Sequence, residues 1–144
     1  MSTIVAVERE DLGALFARIT RRLVEAERPL LASHGLAMWD YIVLSRLAQR
    51  PSATQLALAQ AIGYDKTRLI ALLDELERNG LITRTPDPAD RRARNVQLTP
   101  TGEARHAAAR ADIRTMEIEL LHDLTESQQL ALRTTLARLA NVCE

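Results

Sequence analysis

From Asp11 onward the apolar residues Leu12, Leu15, Phe16, Ile19 and Leu23 recur at helical spacing, so they line one side of a helix. Pro29 is expected to kink or end it, and Gly35 marks a break. A second helix over about Met38 to Ala48 carries Met38, Tyr41, Ile42, Leu44 and Leu47, and Arg50-Pro51-Ser52 breaks it. A third, short helix covers about Thr54 to Ile62. A fourth runs from about Lys66 to Asn79, with Asp65 as its N-cap and Gly80 at its C-terminal cap position. Leu69, Leu72, Leu73 and Leu76 form the buried stripe of the fourth helix.

The period then changes. Leu81-Ile82-Thr83-Arg84-Thr85 and Asn95-Val96-Gln97-Leu98 alternate apolar with polar residues, and the loop between them reads PDPADRRAR. This predicts a two-stranded hairpin with a charged tip. Thr99-Pro100 opens another helix, running to about Leu124. Thr125-Glu126-Ser127-Gln128 has the capping-box pattern and opens a last helix carrying Leu130, Leu132, Leu136, Leu139 and Val142. The expected fold class is mainly α with a small β-hairpin.

Composition sharpens this outline. The chain has 144 residues, of which 47% are hydrophobic but only 3% aromatic, so the core must be built from Leu, Ala, Ile and Val. A single cysteine, Cys143, makes no internal disulfide and no zinc site. The first residues, MSTIVAVEREDLG, do not read as a secretory signal, and no apolar stretch is long enough for a membrane span. A cytoplasmic protein that does not use a membrane is the expectation. The formal net charge is zero, yet residues 46–94 carry an excess of three positive charges. All but one of the basic residues are arginines, the better bidentate donors.

The basic segment contains a recognisable constellation. Ala59 is a small residue where two helices can cross, Gly63 stands four residues on where a turn goes left-handed, and Leu69 follows to dock the second helix. Leu58, Ile62 and Leu72 complete the apolar positions of a helix-turn-helix. Its outer face carries Lys66, Thr67 and Arg68, and farther along Ala71 and Asp74. Arg and Lys at the start of such a helix reach guanine edges or phosphates in a major groove. Taken alone, this segment also fits an ordinary helical hairpin with solvated charges.

The following hairpin adds independent weight, because a helix-turn-helix with a hairpin behind it is a winged helix. Arg91, Arg92 and Arg94 then sit at the wing tip, suited to a narrow, electronegative minor groove. Pro86 and Pro88 stiffen the loop. Asp90 is expected to pair with a neighbouring arginine and hold the tip in shape.

The run LDELERNGLITRTPDPADRRARNVQLTPTG closely resembles the MarR family of bacterial winged-helix transcription regulators. ATQLALAQAIGYDKTRLIALLDEL and RPLLASHGLAMWDYIVLSRLA resemble it too, and the likeness covers about residues 10 to 142. The string D-P-x-D-R-R-x-x-x-V-x-L-T-x-x-G carries most of the specificity. The resemblance implies a homodimer formed by the first helix and the last two. It divides the chain into an N-terminal dimerisation helix (1–36), a winged helix-turn-helix DNA-binding lobe (37–99) and C-terminal dimerisation helices (100–144). It also implies binding to a pseudo-palindromic operator in double-stranded DNA, usually as a repressor. Release would follow when a small phenolic or other lipophilic effector enters a pocket between the dimer helices and the lobe. By position, Arg92 is the minor-groove residue, and Asp90 matches the acidic residue that buttresses the wing. His34 and Trp39 flank the break where the family places part of the pocket; a purely structural role is the alternative for both.

Two departures matter. Many members carry an arginine at the position of Ala71, so base reading shifts toward Lys66, Thr67 and Arg68. The reactive N-terminal cysteine of the peroxide-sensing branch is absent, and Cys143 reads as a surface or core residue, with an intersubunit disulfide as the alternative. His106 and His122 lack metal-type spacing. No nucleophile and base set, phosphate loop or metal motif is found, so neither an enzyme nor a cofactor is expected. The competing class is a winged-helix protein-interaction module without DNA binding.

Overall fold

The structure, a computed structural model, describes residues 10–50 and 53–141. Val142 and Cys143 lie outside the described residues. The elements are α1 (Leu12–Ser33), α2 (Met38–Gln49), β1 (Ala53–Thr54), α3 (Gln55–Ile62), α4 (Lys66–Arg78), β2 (Ile82–Pro86), β3 (Arg94–Leu98), α5 (Pro100–Leu120) and α6 (Glu126–Asn141). The fold is mainly helical with one β-hairpin, as the pattern of the chain predicts.

Three details differ from that expectation. Pro29 does not end α1, which continues to Ser33. An interior proline costs about 3 kcal/mol. Against this, the extension buries Leu31 (1% exposed) and leans Leu30 on the core. A buried leucine stabilises by about 1.5–3 kcal/mol. The end is then closed by Leu36 N–H donating to Leu31 O (2.9 Å) and Gly35 N–H to Ala32 O (3.0 Å). Second, α5 stops at Leu120, four residues before the expected Leu124. Third, the hairpin gains a neighbour: β1 pairs with β3 through Ala53 with Val96 and Thr54 with Asn95, giving the antiparallel order β1-β3-β2. Two residues are too few to show an alternating pattern.

The core sits where α2, α3, α4, α5 and the sheet meet. Val43, Leu44, Leu47, Leu58, Leu69, Leu73 and Val96 are fully buried there. Its one buried polar side chain among the described residues is His106, whose Nε2 lies 3.0 Å from Ser45 Oγ and whose ring stacks on Tyr41 at 5.3 Å between centroids. Burial, aided by the positive charge of Arg110, pushes the His106 pKa below its ordinary 6.5. By contrast α6, opened by the expected capping box (Gln128 N–H to Thr125 Oγ1, 3.2 Å; Thr125 N–H to Gln128 Oε1, 2.9 Å), buries no residue at all. Leu12, Phe16 and Ile19 on α1, Ile118 on α5, and Leu130, Leu132, Leu136 and Leu139 on α6 are exposed apolar residues.

The junction between the sheet and α5 is a close backbone approach. A Cβ at Gly102 would stand 2.0 Å from the carbonyl oxygen of Leu81. Thr99 holds the two together: its N–H donates to Leu81 O (3.0 Å), its hydroxyl donates to Gly80 O (2.6 Å) and accepts from Gly102 N–H (3.0 Å).

Two outcomes follow from these contacts. Alanine is the better helix former by about 0.5–1 kcal/mol, but overpacking of this kind costs about 1–3 kcal/mol. Gly102→Ala is therefore expected to lower the urea midpoint; an unchanged or raised midpoint would show that the junction has room. The native state holds the His106 proton less tightly than the unfolded chain does. Its contribution to stability is thus fully present above about pH 6.5 and lost as pH falls through the lowered native pKa. His106→Gln should flatten that part of the stability curve relative to wild type, measured by urea melts across pH.

Candidate nucleic-acid interface

Helix α3 begins at Thr54, whose Oγ1 accepts the Ala57 N–H at 3.1 Å. It ends in a turn where Gly63 takes φ +65°, a conformation that strains any residue with a Cβ. Tyr64 N–H then closes the turn on Ala59 O at 3.0 Å. Ala59 (4% exposed) and Leu58 (0%) lie against the crossing. Asp65 caps α4 by accepting the Arg68 N–H at 2.9 Å. Leu69, Leu73 and Leu76 are buried, and Leu72 leans on the same core. At about 3.6 residues per turn, the opposite side of α4 carries Thr67, Ala71, Asp74 and Arg78, all exposed. Lys66 and Arg68 are exposed on its flanks within the first turn.

The wing is β2 and β3 in antiparallel register from Ile82 with Leu98 to Pro86 with Arg94. Its tip is organised by backbone bonds: Asp87 N–H to Ala93 O (3.0 Å), Asp90 N–H to Asp87 O (3.3 Å) and Ala93 N–H to Asp90 O (3.0 Å). Two carboxylates add local caps. Asp87 Oδ1 accepts from Ala89 N–H and Asp90 Oδ1 from Arg92 N–H, each at 2.9 Å. Asp90 therefore shapes the tip through the backbone of Arg92, not by the expected pairing with an arginine side chain. A two-residue loop closes more favourably on the nearby N–H than on a long, solvated guanidinium. Arg91, Arg92 and Arg94 are exposed, and none of them forms an ion pair among the described residues.

One residue of this surface escaped sequence reasoning. Arg84 lies in β2 with its side chain 15% exposed and reaches two other elements. Its Nη2 donates to Asp74 Oδ1 (2.5 Å) and Glu77 Oε1 (3.1 Å) of α4, and its Nη1 to Gln55 Oε1 (3.2 Å) of α3. Its backbone N–H donates to Glu77 Oε2 at 3.0 Å. The guanidinium beside Glu77 holds that carboxyl below its ordinary range, and Glu77 in turn raises the pKa of Arg84. The signal was present in the sequence. Strand alternation puts Arg84 on the same face as the buried Ile82, an inward position for an arginine.

His34 and Trp39 face different neighbours. His34 Nε2 lies 2.6 Å from Asp112 Oδ2 on α5, whereas the Trp39 ring sits 4.3 Å from that of Tyr64 between α3 and α4. The two side chains thus contact different elements of the fold. No group of three or more His, Cys, Asp or Glu that could hold a metal occurs among the described residues, and no described helix is long and apolar enough to cross a membrane.

The cap at the wing tip can be checked directly. Asp90→Ala should leave the fold intact and weaken the tip by about 0.5–1.5 kcal/mol, the net worth of one such bond. Amide hydrogen exchange at Arg92 should accelerate several-fold, and Asp90→Asn, which keeps an acceptor, should exchange nearly as wild type. Equal exchange in all three proteins would remove Asp90 from the account of the wing.

Comparison with known proteins places this lobe. The MarR family model matches residues 37–93, from the start of α2 to the wing tip. Among solved structures, the transcriptional repressor CouR bound to a 23-mer DNA duplex is 32% identical, with 90% of this chain and 92% of that one covered and a TM-score of 0.80. A MarR-family transcriptional regulator from Rhodococcus sp. RHA1 is 27% identical over 90% of this chain and 92% of its own, with a TM-score of 0.82. Wild-type MarR from E. coli in its apo form, 23% identical over 90% of this chain and 97% of its own, shares the fold with a TM-score of 0.80. With the helix-turn-helix, the wing and these likenesses together, the chain belongs to the MarR family of transcription regulators.

Proposed function

We propose that the protein is a homodimeric, sequence-specific DNA-binding regulator that represses transcription and leaves its operator when a small lipophilic or phenolic effector binds. The observation that carries this reading is the exposed cationic set on one lobe. Lys66 and Arg68 at the start of α4, and Arg91, Arg92 and Arg94 at the wing tip, form no ion pair among the described residues. With Thr67 they are the proposed DNA-contacting residues: α4 in the major groove, Arg92 in the minor groove. That CouR, 32% identical, is a repressor with a DNA-bound structure supports the same role here.

The dimer follows from the apolar surface on α1, the end of α5 and α6. A helix of 16 residues with no buried residue gains little by folding alone. A second copy that covers Leu12, Phe16, Leu130 and Leu139 supplies the missing burial. This divides the chain in function into residues 1–36 and 100–144 for dimerisation and 37–99 for DNA. A two-fold dimer reads a pseudo-palindrome, with half-sites one helical turn or a multiple apart. His34 and Trp39, at the corner between α1 and α2, are the proposed polar and aromatic groups of the effector site.

The test is a titration of the purified protein against its own upstream intergenic DNA and a scrambled duplex. If a dimer neutralises about 6–10 phosphates, affinity falls by about 10³–10⁵ between 50 and 200 mM salt. Arg92→Ala should cost about 1–3 kcal/mol, roughly five- to 150-fold, without unfolding the dimer. Wild-type affinity in that variant would take Arg92 out of the interface. Absence of binding to either duplex at low salt would replace this reading with a protein-interaction module.

A further inference from the structure

Asp74 lies on the outward side of α4, opposite the buried leucines, and Glu77 follows one turn later. Two carboxylates there are an obstacle to binding a polyanion, since like charges repel across a short gap. Both are held by a single cation: Arg84 Nη2 contacts Asp74 Oδ1 and Glu77 Oε1 at 2.5 and 3.1 Å. The same guanidinium reaches Gln55 at 3.2 Å, and its own backbone N–H donates to Glu77, so wing strand, α4 and α3 are tied at one point. A planar fork serves several acceptors at fixed angles in a way an ammonium does not.

We propose that Arg84 is a positioning residue for DNA binding, which masks Asp74 and Glu77 from the phosphate backbone and fixes the wing to the recognition helix. The idea rests on the DNA-binding reading above. Arg84 itself, mostly enclosed, is not a DNA contact. Its role is to remove negative charge from the face that Lys66, Arg68 and the wing arginines make positive. The pair also explains how the lobe tolerates acidic residues on α4.

The experiment uses the full chain and a fluorescent duplex of the upstream intergenic region, at several salt concentrations. Arg84→Met should melt near wild type, bind at least about tenfold more weakly and show a shallower salt dependence, because two uncompensated carboxylates offset phosphate contacts. Adding Asp74→Asn and Glu77→Gln to Arg84→Met should restore at least about fivefold of the lost affinity and return the salt slope toward wild type. Arg84→Lys, which keeps the charge but not the fork, should fall between wild type and Arg84→Met. Should Arg84→Met not fold, Arg84→Lys with and without the two neutral substitutions carries the same comparison. Wild-type affinity in Arg84→Met overturns the proposal. So does a loss that the two neutral substitutions fail to repair, since a purely structural role predicts no rescue by charge removal. If wild type itself binds neither this duplex nor a scrambled one at low salt, the DNA-binding reading falls and takes the proposal with it.

Discussion

The backbone of Leu81 is the joint on which the lobe depends. Its N–H closes the end of α4 on Leu76 O at 3.0 Å, its carbonyl accepts the Thr99 N–H at 3.0 Å, and its side chain is 1% exposed. One residue therefore ends the recognition helix, begins the wing and meets the start of α5. Gly102 lets that carbonyl come close, and Thr99 binds both sides of the contact through Gly80 and Gly102. Shifting any of these groups would change the angle between recognition helix and wing. On the proposed function, that angle decides whether two grooves of a duplex can be reached at once.

Around this joint, charge is sorted by partner. Five acidic groups near the interface are held internally: Asp65 caps α4, Asp87 and Asp90 cap the wing tip, and Asp74 and Glu77 share Arg84. The exposed cations of α4 and the wing form no ion pair among the described residues. A chain of zero net charge thus presents a locally basic surface without any excess of basic residues. The economy is geometric, since carboxylates satisfied by backbone N–H groups cost no arginine.

The helical part obeys a different constraint. α6 opens with a capping box while α1 starts without a side-chain cap; both carry apolar stripes, yet α6 buries nothing within its own chain and α1 buries only Leu31. Under the proposed dimer a second copy would cover this apolar surface, and the stability of this region would then depend on association in a way that the lobe, with its own core of Leu44, Leu58, Leu69 and Val96, does not.

Much of this was legible along the chain, because local rules dominate where elements begin and end. Asp65, the Thr125 box and Gly63 each act within four residues of themselves, and spacing alone locates them. The helix-turn-helix and the hairpin follow from the same short-range physics. Tertiary structure decided what depends on distant partners. Pro29 stays inside α1 because Leu31 finds a core that local propensity cannot see. The β1 strand exists only because β3 offers it an edge. Asp90 spends its carboxylate on a backbone N–H rather than on an arginine. Arg84 read as one more charge in a strand, and only the fold brings it within reach of Gln55, Asp74 and Glu77, from 7 to 29 residues away. Periodicity and caps are set by neighbours in sequence, while the pairing of charges is set by neighbours in space.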